Sequence, residues 1–221
     1  MERNWLRDNG LTLALLTLFL ISIVGHALTG WSAYNEEQLQ HASERIGLSQ
    51  YLGSGHFIST VFENWESEFL QMAIFVVLTA YLFQRGSPES KDPDVSPAAE
   101  KAATTRDMKK ARARIHGGEL VVWLYSKSLG IAMTVLFLLS FWLHLYGSAR
   151  HGAEEALEHG QTPPSIGEHL ASSQFWFESF QNWQSEFLST AVLIVLAIFL
   201  RQENSPESKK VSDPNSKTGT S

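Results

Sequence analysis

The chain is written twice. Residues 5–91 align with residues 123–209 without a gap, at a constant offset of 118, and about 33 of the 87 aligned positions are identical. The matches are clustered. Phe-Glu-Asn-Trp-Glu-Ser-Glu-Phe-Leu (62–70) stands against Phe-Gln-Asn-Trp-Gln-Ser-Glu-Phe-Leu (180–188), and Ser-Pro-Glu-Ser-Lys occurs at 87–91 and again at 205–209. Shared helical composition scatters Leu and Ala matches and does not reproduce Asn-Trp-x-Ser-Glu-Phe-Leu in register. The expectation is one unit duplicated, with boundaries at 1–91 and 119–209, a linker at 92–118 and a disordered tail at 210–221.

Each copy opens with an apolar run, residues 11–31 and 129–147, free of Asp, Glu, Lys and Arg. A run of about 20 residues crosses a bilayer as a helix. The second apolar run of each copy, 69–83 and 187–200, is shorter. It reaches spanning length if its helix starts inside the preceding Asn-Trp segment, which sets Trp65 and Trp183 as interfacial anchors. Four spans follow: an all-α membrane protein, a four-helix bundle of two tandem parallel hairpins. A cleaved signal peptide would need Arg3, Arg7 and the first run to be an export signal, but the same segment recurs in mid-chain. A soluble bundle would need a polar stripe, which residues 11–24 lack.

Composition therefore misleads when averaged. The chain is 44% hydrophobic with net charge −6, and its mean hydropathy of −0.09 sums apolar spans and polar loops. Zero cysteines exclude disulfides, thiolate metal clusters and a cysteine nucleophile. Without a basic face, no nucleic-acid partner is expected. The Lys and Arg residues gather in the termini and the linker, whereas the loops inside the copies hold only Arg45 and Arg150. By the positive-inside rule the N-terminus, linker and C-terminus are cytoplasmic. Lys109, Lys110, Arg112 and Arg114 make the linker a segment for anionic lipid headgroups.

The loops at 32–55 and 148–173 carry Glu36-Glu37 and Glu154-Glu155, then His41 and His159 at matching positions. They read as extra helical turns and solvated charge, with no metal site called for. Pro163-Pro164 is expected to end the second of these elements. Ser49 and Ser54 are candidate N-caps for the returning helix, and Ser-Pro-Glu-Ser-Lys reads as the start of a short helix, with Pro at its first position.

Repeated polar residues mark the candidate site. At about 100° per residue, Asn64, Ser67, Glu68 and Gln71 share a helix face, as do Asn182, Ser185, Glu186 and Ser189. In the first spans Leu11, Ala14, Leu18, Ser22 and His26 form a stripe mirrored by Leu129, Ala132, Leu136, Ser140 and His144. These faces are expected to point into the bundle, with His26 and His144 meeting Glu68 and Glu186. Buried ionisable groups call for a partner. Three roles fit: polar glue between helices, a proton- or solute-responsive site, or axial ligation of a b-type haem by His26 and His144. No nucleophile elbow, phosphate loop or His-Glu-x-x-His motif is present, so a non-enzymatic role is expected, and any channel would need a homo-oligomer.

The Asn-Trp-x-Ser-Glu-Phe-Leu segments, the Ser-Pro-Glu-Ser-Lys tails and the Ala-Tyr-Asn-Glu-Glu-Gln…His spacing together resemble a family of bacterial integral membrane proteins catalogued as a domain of unknown function. The resemblance implies a four-span protein of the bacterial cytoplasmic membrane and supplies no activity.

Overall fold

The computed structural model describes residues 5–40, 43–115 and 117–219. Every regular element among them is a helix: α1 (Trp5–Asp8), α2 (Gly10–Gln40), α3 (Leu48–Leu52), α4 (Gly55–Tyr81), α5 (Pro97–Arg114), α6 (Glu119–Glu158), α7 (Ile166–Leu170) and α8 (Ser173–Phe199). Three of them, α2, α6 and α8, are long and apolar enough to cross a membrane. The fourth expected span, α4, is not among these. Gln71, Thr79 and Tyr81 dilute its apolar segment where α8 has Ser189, Ala197 and Phe199.

The expected loops are largely helix. α2 runs 31 residues, through Glu36-Glu37, and α6 runs 40 residues, through Glu154-Glu155. Both extensions are rich in Ala, Leu, Glu and Gln, which lose little freedom in a helix. Arg150 and Glu154 add an i,i+4 pair at 3.1 Å. α6 closes just past Glu158 at Gly160, whose φ is +67°. The Gly160 N–H donates to Leu157 O and the Gln161 N–H to Ala156 O, a Schellman closure. Pro163-Pro164 therefore follows the stop and does not cause it. Ser54 caps α4 through the Phe57 N–H at 3.2 Å, and Ser172 caps α8 through the Phe175 N–H at 3.3 Å. Ser49 lies within α3 and caps nothing in α4.

The chain divides into two compact units, one of residues through Val61 with Leu143–Ala171, the other of Phe62–Trp142 with Ser172–Ser221. In the first, α4 and α6 touch backbone to backbone. A Cβ on Gly147 would lie 2.4 Å from Ser59 N, and one on Gly55 would lie 2.5 Å from His151 N. Only glycine permits that approach. The second unit is built on aromatic rings: Phe141 on Phe175 at 5.5 Å, Trp176 on Phe180 at 5.7 Å, and Phe180 on Trp183 at 5.3 Å.

The expected inward stripe of α2 is corrected. Leu11, Ala14, Leu18 and Ser22 are exposed and only His26 is half-buried. In the second copy Leu129, Ala132 and Leu136 are exposed, while Ser140 and His144 are buried. Apolar side chains exposed all round α2, such as Leu11 and Ile21, suit a hydrocarbon solvent better than a helix packed on one side.

The linker becomes α5, capped by Ser96 on the Ala99 N–H at 3.3 Å. Its start, read as disordered chain, is tied by a two-pronged Arg85–Asp94 pair at 2.6 and 2.8 Å and by a Lys91–Glu100 ion pair. The segment after Lys209, read as a disordered tail, forms turns pinned by Lys217–Asp213 at 3.0 Å and by the Gly219 N–H on Ser87 O.

Candidate functional site

The first unit holds an aromatic and histidine cluster. His26 Nε2 lies 3.2 Å from the Thr60 hydroxyl, and its ring tilts against Phe57 at 5.7 Å. His56, in the first turn of α4 and ahead of the apolar segment, lies 3.3 Å from the Tyr51 hydroxyl through Nδ1. Its ring meets those of Tyr34 at 5.3 Å and His151 at 5.1 Å. His151 in turn faces Glu155 at 3.9 Å. Burial, then the charges of His151 and His26 against the opposing pull of Glu37, hold His56 below the ordinary imidazole value. Nearby, Ser148 and His169 Nε2 are hydrogen-bonded at 2.8 Å, both buried. His144 is also fully buried in this unit.

Of these, sequence reasoning named His26 and His144 and missed His56, His151, His169 and Tyr51. The missed residues have no identical twin: His56 stands opposite Gln174, His151 opposite Ala33, and Tyr51 opposite His169. A search for repeated identity passes over all of them.

The Asn-Trp segments lie in the second unit. Ser67 is buried and donates to Asn64 O at 2.8 Å, and Ser185 donates to Asn182 O at the same distance. Asn64, Glu68 and Ser185 are exposed, Gln71 and Glu186 half-buried, so the expected polar face does not turn inward as a whole. The buried acid is Glu66, 0% exposed, which accepts the Trp183 indole N–H at 2.9 Å. Asn182 donates to Glu63. Trp183, expected at a lipid interface, thus spends its donor inside the protein, while Trp65 packs edge-on against Phe62 at 5.1 Å. The signal was present in the sequence. Glu63 and Glu66 are the two positions where an otherwise identical motif changes, to Gln181 and Gln184.

Ser-Pro-Glu-Ser-Lys starts no helix; it is a clasp that closes the helix before it. The Gln84 N–H donates to Ser90 Oγ at 2.8 Å, and the Gln202 N–H to Ser208 Oγ at 2.9 Å. Lys91 Nζ donates to Ala80 O at 2.6 Å, and Lys209 Nζ to Ile198 O at 3.1 Å. Both turns pass through the left-handed region, at Gly86 (φ +86°) and Asn204 (φ +64°). Each lysine satisfies orphan carbonyls at a helix C-terminus. Lys209 also reaches Gly86 O, Asn215 O and Lys217 O. Burial and the Arg201 charge, partly opposed by Asp213, lower its basicity. The acids of the two clasps meet: Glu89 and Glu207 are hydrogen-bonded, and burial followed by that bond raises Glu89 above its ordinary value.

On α5, Arg112 pairs with Glu119 at 3.0 Å, and Lys109, Lys110 and Arg114 are exposed along with it. Among the described residues no group of three or more His, Asp and Glu is placed to hold a metal ion. His41 lies outside the described residues.

The profile of a family described as a domain of unknown function (DUF6766) matches residues 2–220. The chain belongs to this family. No curated protein and no solved structure matches it. The family match thus covers nearly the whole of the given sequence, and function has to be argued from the chemistry of the chain.

Proposed function

We propose that the chain is a non-enzymatic, four-span protein of a bacterial cytoplasmic membrane, made of two tandem hairpins with termini and linker inside, that responds to external acidity. The observation that carries this reading is the His56 cluster. Its imidazole is faced by Tyr34, Glu37 and His26 from α2, Tyr51 from α3, and His151 with Glu155 from α6. The His151 ring 5.1 Å away opposes a positive charge on His56, so protonating His56 strains this contact. Since the folded state holds His56 below its unfolded value of about 6.5, its contribution to stability is present above that pH. It is lost as pH falls through the folded value. Acidification therefore loosens the first unit.

The test is Trp fluorescence of the detergent-purified chain from pH 8 to pH 4.5, compared with His56→Gln. Glutamine already stands at the matching position 174. The wild type is expected to change signal below about pH 6.5, and the variant to shift or lose that step. An identical profile in both would sink the proposal. The haem alternative is tested in the same sample by its visible spectrum, and ligation would require His26 Nε2 to leave Thr60.

A further inference from the structure

A second feature lies away from the histidines. In the second unit a slot of about 230 Å³, walled by Phe75, Leu78, Leu82, Phe83 and Ile194, runs against the first clasp at Glu89 and Ser90. A larger cavity of about 700 Å³ shares Thr79, Phe83, Glu89 and Ser90 with it and continues past Lys91, Asp92 and Glu100 to α5. One side of this compound cavity is hydrocarbon and the other is charged, with the clasp between them. The charges have a pattern. Lys91 is the cation, while Glu89 and Asp92 are acids, with Glu207 hydrogen-bonded to Glu89. Glu100 is already paired with Lys91.

We infer that this cavity binds a zwitterionic aminophospholipid, with part of one acyl chain in the slot, the phosphate toward Lys91 and the primary ammonium toward Glu89 and Asp92. Charge complementarity argues for this occupant. An anionic glycerol headgroup brings no cation to the acids. A quaternary choline brings charge but no N–H donor for the carboxylates. An ammonium placed there would also offset the like charge that Glu207 sets against Glu89. The inference rests on the membrane reading but not on the histidine cluster. Membrane residence is checked separately, by whether detergent is needed to extract the chain.

The experiment uses the full chain in detergent, with short-chain phosphatidylethanolamine, phosphatidylcholine and phosphatidylglycerol as probes. Thermal unfolding and native mass spectrometry are the readouts. Phosphatidylethanolamine is expected to raise Tm and to bind at least about tenfold more tightly than the other two, the equivalent of about 1.4 kcal/mol. Glu89→Gln should remove that preference while leaving general lipid adhesion, and Leu78→Trp should block the slot to all three lipids. Equal affinity of the wild type for the three headgroups overturns the proposal without any variant being needed. Retention of the ethanolamine preference by Glu89→Gln overturns it as well. A chain extracted without detergent would instead sink the membrane reading.

Discussion

Two corners of the first unit stand at positions matched 118 residues apart and are built from different side chains. In the first copy the Tyr51 hydroxyl lies so close to Gly30 that a Cβ there would meet it at 2.4 Å, and the Tyr51 ring packs on Tyr34 at 5.6 Å. The matching residues 118 positions on are Ser148, Gly152 and His169. There the smaller ring leaves room for a serine side chain and is hydrogen-bonded to it in place of the stacking contact. A Cβ on Gly152 would meet the His169 ring at 3.6 Å. All three positions differ between the corners, with large against small in one and medium against medium in the other. Close packing requires this, since a volume gained on one side of a contact must be given up on the other. The difference teaches that matching positions can hold a contact with different chemistry, so the corners are informative where they disagree.

The largest effect is expected where one copy alone has glycine. Gly55 and Gly147 stand opposite Ser173 and Thr29 in the matching positions. Gly147→Ala drives a Cβ into Ser59 N and Cα at 2.4 and 2.9 Å, both backbone atoms that cannot swing aside. The loss should exceed the usual range for an overpacked contact, about 3 kcal/mol. It is read as a fall in Tm of the detergent-solubilised chain. Gly25→Ala is the control, because nothing lies within 4 Å of a Cβ there, and it should be neutral or slightly stabilising. Equal effects at the two sites would break the claim that the crossing depends on glycine.

The clasps provide the next comparison. Lys209 is buried with four carbonyl oxygens within hydrogen-bond reach of its three N–H groups, whereas Lys91 is partly exposed, donates to Ala80 O and pairs with Glu100. Lys209→Met leaves several buried acceptors without a donor, at a cost of about 2–3 kcal/mol. Lys91→Met should cost under about 1 kcal/mol, the scale of an exposed ion pair. Chemical denaturation of the two variants measures the gap. If Lys91→Met proves as damaging, the two clasps are not specialised and the tail adds nothing to the second.

Much of this was legible in the sequence. Apolar runs at 11–31 and 129–147 became helices, and Ser54 caps as its position suggested, because both signals are local. The extra helical turns at the acidic pairs were legible too, but not that they continue the first helices unbroken. Whether Glu36-Glu37 ends a helix or extends it depends on the return through Ile46, whose N–H donates to Asn35 and whose carbonyl accepts from Trp31 and Asn35. Ser-Pro-Glu-Ser-Lys has the composition of an N-cap, and only the lysine's reach back to Ala80 and Ile198 turns it into a C-terminal closure. The site failed to appear for a deeper reason. Choosing residues by identity between matching positions favours groups with the same task twice, whereas Glu66, His56 and Tyr51 stand opposite Gln184, Gln174 and His169.

A double-mutant cycle tests the opening comparison most directly. His169→Tyr places a longer ring against Ser148 and removes the 2.8 Å hydrogen bond. The expected loss is about 1–3 kcal/mol, from overpacking and a buried hydroxyl left without its partner. Ser148→Gly alone empties a small volume and costs about 1 kcal/mol. The double variant rebuilds the Gly30–Tyr51 pairing in the second copy and should recover most of the loss, so the coupling energy in the double-mutant cycle is favourable. Gly30→Ser with Tyr51→His makes the reciprocal exchange and should couple with the same sign. Additive effects in both cycles would mean that these positions vary independently and that the two corners are alike only in sequence register. Coupling in the second copy alone would assign the constraint to the missing ring at position 152, because Gly152 offers no stacking surface where Tyr34 does.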